Sequence, residues 1–297
     1  LHLVRGQWTA RRSTRRRGCR HDSPPARRGL GSTSQQGPDG RLAGGAILPL
    51  IETRALVLHA FPYGETSRIL RLLTPRYGLR SVIAKGAQRP KSRFGGVLEP
   101  FTEGEAQFNL RDGRDLLTLS GFTLIRSRQG MGRNLAAFSG ASLLAEIALR
   151  TGTEEAQPEL YDSIVSTFDT LAEGTAPAAA TAVAAIWRTL SILGFQPEME
   201  ACVRCGRELE ADEPARFDVE AGGSACRSCR PAGRLLDATT RHEVGRMSAG
   251  SGHIDAPGDR ALHGRMLEAF LSTHVAADRP FRSLGLFLAN LRPDGAA

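Results

Sequence analysis

Along the first half of the chain, apolar residues recur at every second position or in short runs cut off by turn residues. The segments TRALVLHAF, SRILRLLT, LRSVIAKG, GVLEPFTEGEAQF and LLTLSGFTLI, between Thr53 and Ile125, therefore predict five β-strands. Pro62-Tyr63-Gly64 and Pro75-Arg76-Tyr77-Gly78 supply turns after the first two, and Asp112-Gly113 suits a two-residue hairpin before the last. After Gly130 the period changes. LAAFSGASLLAEIAL, PELYDSIVSTFDTLAEG and PAAATAVAAIWRTLSILG repeat their apolar residues every three or four positions, which predicts helices, with Pro158 and Pro177 at their starts and Gly174 and Gly194 after their ends. RALHGRMLEAFLSTHVA and RSLGLFLANL predict two more that pack back on the first set.

Five short strands with no long helix between them suit a small Greek-key barrel of the OB type, with an SH3-like barrel as the alternative. The expected fold class is α+β: an N-terminal OB-type barrel over 49–128, then an α-helical domain over 129–297. No run approaches eighteen apolar residues, so no membrane-spanning helix and no membrane partner are expected.

The formal charge of +8 suggests a polyanion partner, but its distribution changes that picture. Residues 1–48 contain ten Arg and two Asp, whereas residues 49–297 carry 29 basic and 29 acidic side chains. The Arg/Gly/Ser/Pro-rich tail lacks hydrophobic periodicity and is expected to be disordered. Its lone Cys19 has no assigned role. Arg outnumbers Lys 37 to 2 and the first Met is Met131, so a native start near Ile47 to Leu50 is expected, with a transit peptide as the other reading. Within the rest, 49–128 has 13 basic and 7 acidic residues and 129–297 has 16 and 22, a basic part joined to an acidic one.

Four of the five cysteines fall in CVRCGRELEADEPARFDVEAGGSACRSC. Two C-x-x-C pairs, Cys202/Cys205 and Cys226/Cys229, have the spacing that brings four thiolates to one zinc ion, and Gly206 supplies a permissive turn after the first. ARFDV and EAGG predict a short hairpin between the pairs, turning at Gly222 and Gly223. Four thiolates leave no coordination position for water, so the expected module, 200–231, is structural. Structural disulfides and a redox C-x-x-C are rival readings; the first wants a secretory segment and the second a βαβ setting, and neither is visible. Arg204, Arg207, Arg227 and Arg230 flank the ligands, where they offset the negative charge of a tetrathiolate. With five Arg against six acids in 202–230, the module is not a basic finger.

The densest basic run is RILRLLTPRYGLRSVIAKGAQRPKSRF. It contains Arg68, Arg71, Arg76, Arg80, Lys85, Arg89, Lys91 and Arg93 and no acid, a candidate phosphate track. Phe61, Tyr63, Tyr77 and Phe94 lie at turns as base-stacking candidates, against the plain alternative of a solvated face and barrel caps. Enzyme signatures fail individually. There is no P-loop; His242-Glu243 opens like a zincin helix but Arg246 stands where the second His belongs; and no G-x-G-x-x-G follows an early strand. The seven His are scattered and are expected to be ordinary core or surface residues.

Three stretches carry a resemblance to a known family: RALVLHAFPYGETSRILRLLTPRYGLRSVIAKGAQRPKSRFGGVLEPF, AIWRTLSILGFQPEMEACVRCG and FLSTHVAADRPFRSLGLFL. Together they make residues 51–291 resemble the bacterial RecO recombination mediators; residues 1–48 have no counterpart. The resemblance implies a non-enzymatic, cytoplasmic and nucleoid-associated DNA repair protein. Such a protein binds single- and double-stranded DNA, anneals complementary strands, engages the tail of single-strand binding protein and works with RecR to load RecA. It also implies one structural zinc, since some members lack the cysteines. Two other functions stay open: a zinc-braced enzyme with its active site in the helical half, and an RNA-binding OB module.

Overall fold

The computed structural model describes residues 50–110, 115–229, 232–250, 260–276 and 279–291. The Arg-rich tail, the Asp112-Gly113 turn and Arg230 lie outside them. Five strands, β1 (Leu50–Tyr63), β2 (Ser67–Thr74), β3 (Gly78–Ala84), β4 (Glu103–Asn109) and β5 (Leu116–Arg126), close into a barrel in the order β1-β2-β3-β5-β4. All neighbours are antiparallel except β3 and β5, which pair in parallel with Val82 opposite Leu117. This is the OB-type barrel that the alternating pattern predicts. Its interior is filled by Val57, Leu70, Leu72, Val82, Phe108, Leu117 and Leu119. The β3–β4 loop adds Phe94 and Leu98 to the same core.

The expected fourth strand, from Gly96, starts only at Glu103. Pro100 lacks a donor and Phe101 takes φ 69°, so the chain turns rather than extends before β4. That left-handed backbone is held by three contacts. Phe101 N–H donates to Val57 O (2.7 Å), its carbonyl accepts from Arg128 Nη1 (3.0 Å), and its ring meets Phe138 and Phe168 edge-on.

A bulge in β1 decides which way the barrel faces. Val57 pairs with Leu72 and His59 with Arg71, leaving Leu58 as the extra residue. Leu56 and Leu58, with Leu73 and Leu79, point out of the barrel into the helical core. The helices are α1 (Leu135–Thr151), α2 (Pro158–Glu173), α3 (Ala178–Ile192), α4 (Ala238–Ala249), α5 (Arg260–His274) and α6 (Leu284–Ala289). Asn134 caps α1 by accepting from Ala137 N–H, Asp237 caps α4 from Thr240 N–H, and Pro158 opens α2. Gly140 lets α1 approach α3, since a Cβ there would lie 2.4 Å from that of Ala182. Fully buried Trp187 on α3 stands edge-on to Phe270 on α5. Helix α4 is not foreseen by periodicity: ATTRHEVGRMSA has few apolar positions, and its Val244 and Met247 are buried by neighbours distant in sequence.

The described residues belong to one compact unit in which barrel and helices share a core. Their junction also holds a buried ionic network. Glu103, 2% exposed, accepts from Arg128 Nη2 (3.0 Å), Tyr161 Oη (3.0 Å) and Arg54 Nε (3.1 Å). Arg128, its side chain fully buried, reaches on to Asp169 on α2 (2.8 Å). Burial opposes the charge on Glu103, but the donors from Arg54, Arg128 and Tyr161 outweigh it and lower its pKa.

Removing one partner of such a network leaves the others buried and uncompensated, so Glu103→Gln is expected to cost about 3–5 kcal/mol of stability in denaturant titration. Because the folded pKa of Glu103 lies below its unfolded value, its contribution is present above the unfolded carboxylate pKa. It is lost as pH falls through the folded one. The variant should therefore show a shallower loss of stability on acidification than the native chain.

Candidate nucleic-acid interface and metal centre

The barrel divides the basic run into two groups. Arg68 pairs with Glu99 (2.7 Å), and Arg80 pairs with Glu154 while donating to the carbonyls of Tyr77 and Glu154 (both 2.8 Å). Arg71 is half-buried and donates to Ser81 Oγ (3.0 Å). These three brace the fold, Arg80 by tying β3 to the loop after α1. The acids that meet Arg68 and Arg80 come from outside the run, so a local count of charges could not find them. Arg76, Lys85, Arg89, Lys91 and Arg93 are exposed, the last four on or beside the β3–β4 loop. Arg93 also lies over the Phe94 ring at 4.9 Å.

The aromatic candidates separate in the same way. Phe94 is 2% exposed and fills the barrel, and Tyr77 packs edge-on against Phe108. Phe94 offers no face to a base as the sequence reading expected, because its loop folds it inward, and Tyr77, half-buried in the turn before β3, has its ring engaged at the end of the barrel core. Phe61 and Tyr63 are exposed, at 37% and 53%. They continue a row begun by His59, whose ring lies 5.6 Å from that of Phe61. Across the sheet, Phe61 pairs with Ile69 and Ile69 with Ile83, while His59 pairs with Arg71. The outer surface of β1, β2 and β3 thus presents aromatic and aliphatic side chains bordered by Arg71 and Lys85. His59, Ile69 and Ile83 were missed as candidates. Period-two counting back from Tyr63 would have found His59, but it shares its outward direction with Leu58 only because of the bulge.

The four cysteines converge. Module strands β6 (Ala215–Asp218), β7 (Gly223–Ala225) and β8 (Arg234–Leu236) form a small sheet in the order β7-β6-β8, and the β6–β7 turn spans 219–222, so Gly223 opens β7 rather than closing the turn. Gly206 takes φ 75° and donates its N–H to Cys202 O (2.8 Å), closing the first knuckle. The four sulfurs lie within 4.8 Å of one another, with Cys202–Cys229 and Cys205–Cys226 both at 3.8 Å. A tetrahedron with metal–sulfur bonds of about 2.3 Å has edges of about 3.8 Å, so the donor set fits a zinc-sized ion. Cys226 N–H points at Cys202 Sγ (3.2 Å), as a thiolate ligand requires. Burial opposes ionisation of Cys202, but backbone donors from Cys226, Cys205 and Arg204 prevail and lower its pKa, whereas crowding by Cys226 and Cys205 raises that of Cys229. Four thiolates at these separations would need a cation between them to offset their mutual repulsion. Two of the flanking arginines are engaged with acids, Arg204 with Asp218 (2.6 Å) and Arg207 with Glu213 (2.6 Å).

Comparison with known proteins agrees with this arrangement. Residues 48–128 match the family model described as Recombination protein O N terminal, and residues 132–284 match Recombination protein O C terminal. The chain is similar to the DNA repair protein RecO of Anaeromyxobacter dehalogenans (strain 2CP-C), at 34% identity over 236 residues, covering 76% of this chain and 91% of the relative. It is 31% identical over 234 residues to the protein of that name from Nocardioides sp. (strain ATCC BAA-499 / JS614), covering 76% and 95%. To that from Bacillus subtilis (strain 168) it is 34% identical over 182 residues, covering 61% and 69%. With a five-stranded barrel, a helical body and both family regions in register along it, the chain belongs to the RecO family of DNA repair proteins.

Proposed function

We propose that the chain binds single- and double-stranded DNA on the outer face of its barrel. It anneals complementary strands there and acts with RecR and the tail of single-strand binding protein to load RecA. The observation that carries this reading is the His59–Phe61–Tyr63 row beside the exposed cations of the β3–β4 loop. Bases stack on aromatic rings irrespective of sequence while cations hold the phosphates, the combination that suits a protein handling strands of any sequence. The partners are supported by family membership. A binding rather than catalytic role is supported by the state of the buried acids. Glu103 is saturated by two arginines and a tyrosine, buried Asp218 is paired with Arg204 and accepts from Ala221 N–H, and half-buried Glu146 is held by Arg150 and two backbone N–H groups, so none of these three carboxylates is free for proton transfer. The cysteine cluster would hold one structural zinc, which contributes folding free energy and no open coordination site.

If the exposed cations meet four to six phosphates, log K for a single strand should fall against log salt with a slope of roughly −3 to −4. Replacing Arg89, Lys91 and Arg93 together by Ala should make that slope shallower and weaken binding equally for all sequences. Phe61→Ala with Tyr63→Ala should weaken binding while leaving the slope in place. Annealing of complementary oligonucleotides, with and without single-strand binding protein, tests the wider role, and a preference for structured RNA would replace it. For the metal, analysis should find one zinc per chain, and Cys205→Ser should lose the metal and melt well below the native protein.

A further inference from the structure

At the β1 bulge the two consecutive outward residues, Leu58 and His59, both wall a groove of about 1100 Å³ between the barrel, α1 and the segment after α5. His59 is thus shared between the groove and the aromatic row. Phe101, Phe138, Leu149 and Pro280 add apolar surface. Phe138 is 39% exposed and stands edge-on to Phe101 at 5.9 Å, which buttresses one edge of its ring.

The groove contains three arginines and one acid. The acid is already satisfied: Glu146 accepts from Arg282 N–H (3.0 Å), Ser283 N–H (2.8 Å) and Arg150 Nη2 (2.6 Å). Arg150 is bound inward, to Glu146 and to the carbonyls of Arg279 and Pro280. Arg279 and Arg282 are exposed, and neither guanidinium has an acidic partner among the described residues. An apolar floor with two free cations on its rim is complementary to an anion that carries flat apolar groups.

We propose that this groove is a second single-strand site, which takes unstacked nucleotides of a strand leaving the barrel row at His59. Phe138 stacks a base, and Arg279 and Arg282 take phosphates. The proposal rests on the barrel reading above and extends it. Continuity through His59 favours a nucleic-acid strand over an acidic peptide, because the two surfaces then form one path.

The test compares the full chain with Arg279→Ala/Arg282→Ala and with Phe138→Ala, using fluorescent dT5 and dT20 in salt titrations. OB barrels engage as few as about four nucleotides, so dT5 reports the barrel and dT20 the extended path. The double variant should bind dT20 on the order of tenfold more weakly, with the salt slope shallower by roughly 1.4, the value for two phosphates on a single strand, and should bind dT5 as the native chain does. Phe138→Ala should weaken dT20 without altering its slope. An unchanged dT20 slope in the double variant overturns the groove assignment. So does an acidic peptide with an apolar end whose binding depends on Arg279 and Arg282 while dT20 fails to compete with it, since the groove then belongs to a protein partner. Failure of the native chain to bind either oligonucleotide would instead overturn the barrel reading.

Discussion

A carboxylate moved out of water must be met by cations and hydrogen-bond donors or give up its charge, and Glu103 at the start of β4 is held under that constraint. Its partners come from three places: Arg54 on β1, Arg128 just past the end of β5, and Tyr161 on α2. Satisfying one acid therefore sets the position of two barrel strands against a helix. Arg128 extends the requirement to Asp169 and to the carbonyl of Phe101, whose left-handed backbone ends the β3–β4 loop. The loop that carries Lys85 through Arg93 is thus anchored at its far end by the junction between barrel and helices. Around the same junction Leu56, Leu58, Leu73 and Leu79 bury apolar area against α1 and α2, so the ionic network specifies an interface that hydrophobic contact also stabilises.

The same arrangement sorts charges by role. Arg68 and Arg80 find carboxylates that lie beyond the basic run, and they are consumed in bracing the fold. The cations left exposed are concentrated on the β3–β4 loop, which Gln88 N–H ties to Thr66 O in the turn after Tyr63 (2.9 Å). The β1 bulge has a similar double consequence: it sends Leu58 toward the helices and His59 toward solvent, so a single inserted residue joins the barrel to the helical core and starts the outer row.

The cysteine module is tied to the helical body in turn. Phe217 and Met199 belong to the main core, Phe217 lying 6.1 Å from Phe270. Buried Arg241 on α4 donates to the carbonyls of Met199 (2.7 Å) and Glu210 (2.5 Å), and His274 on α5 meets Val219 O (2.6 Å). The module thus packs against the helical core through Phe217 and Met199, while Cys202 and Cys226 share a small core of their own with Leu209, Ala215 and Ala225.

What the sequence by itself determined were the features set by local spacing. Period-two apolar positions and turn residues specified the five strands, period 3.6 with Pro and Gly punctuation specified most helices, and the twin C-x-x-C pairs specified the cysteine centre, because each depends on residues within one or two turns of chain. The tertiary structure alone decided whatever depended on partners far along the chain. Arg68 and Arg80 cease to be free cations because Glu99 and Glu154 reach them; Phe94 is lost as a stacking ring because its loop folds into the barrel; and α4, weak in pattern, is stabilised by Arg241 and its burial against α3. Burial and ion pairing arise from closure in three dimensions, and a linear count of charges or rings contains no measure of that closure.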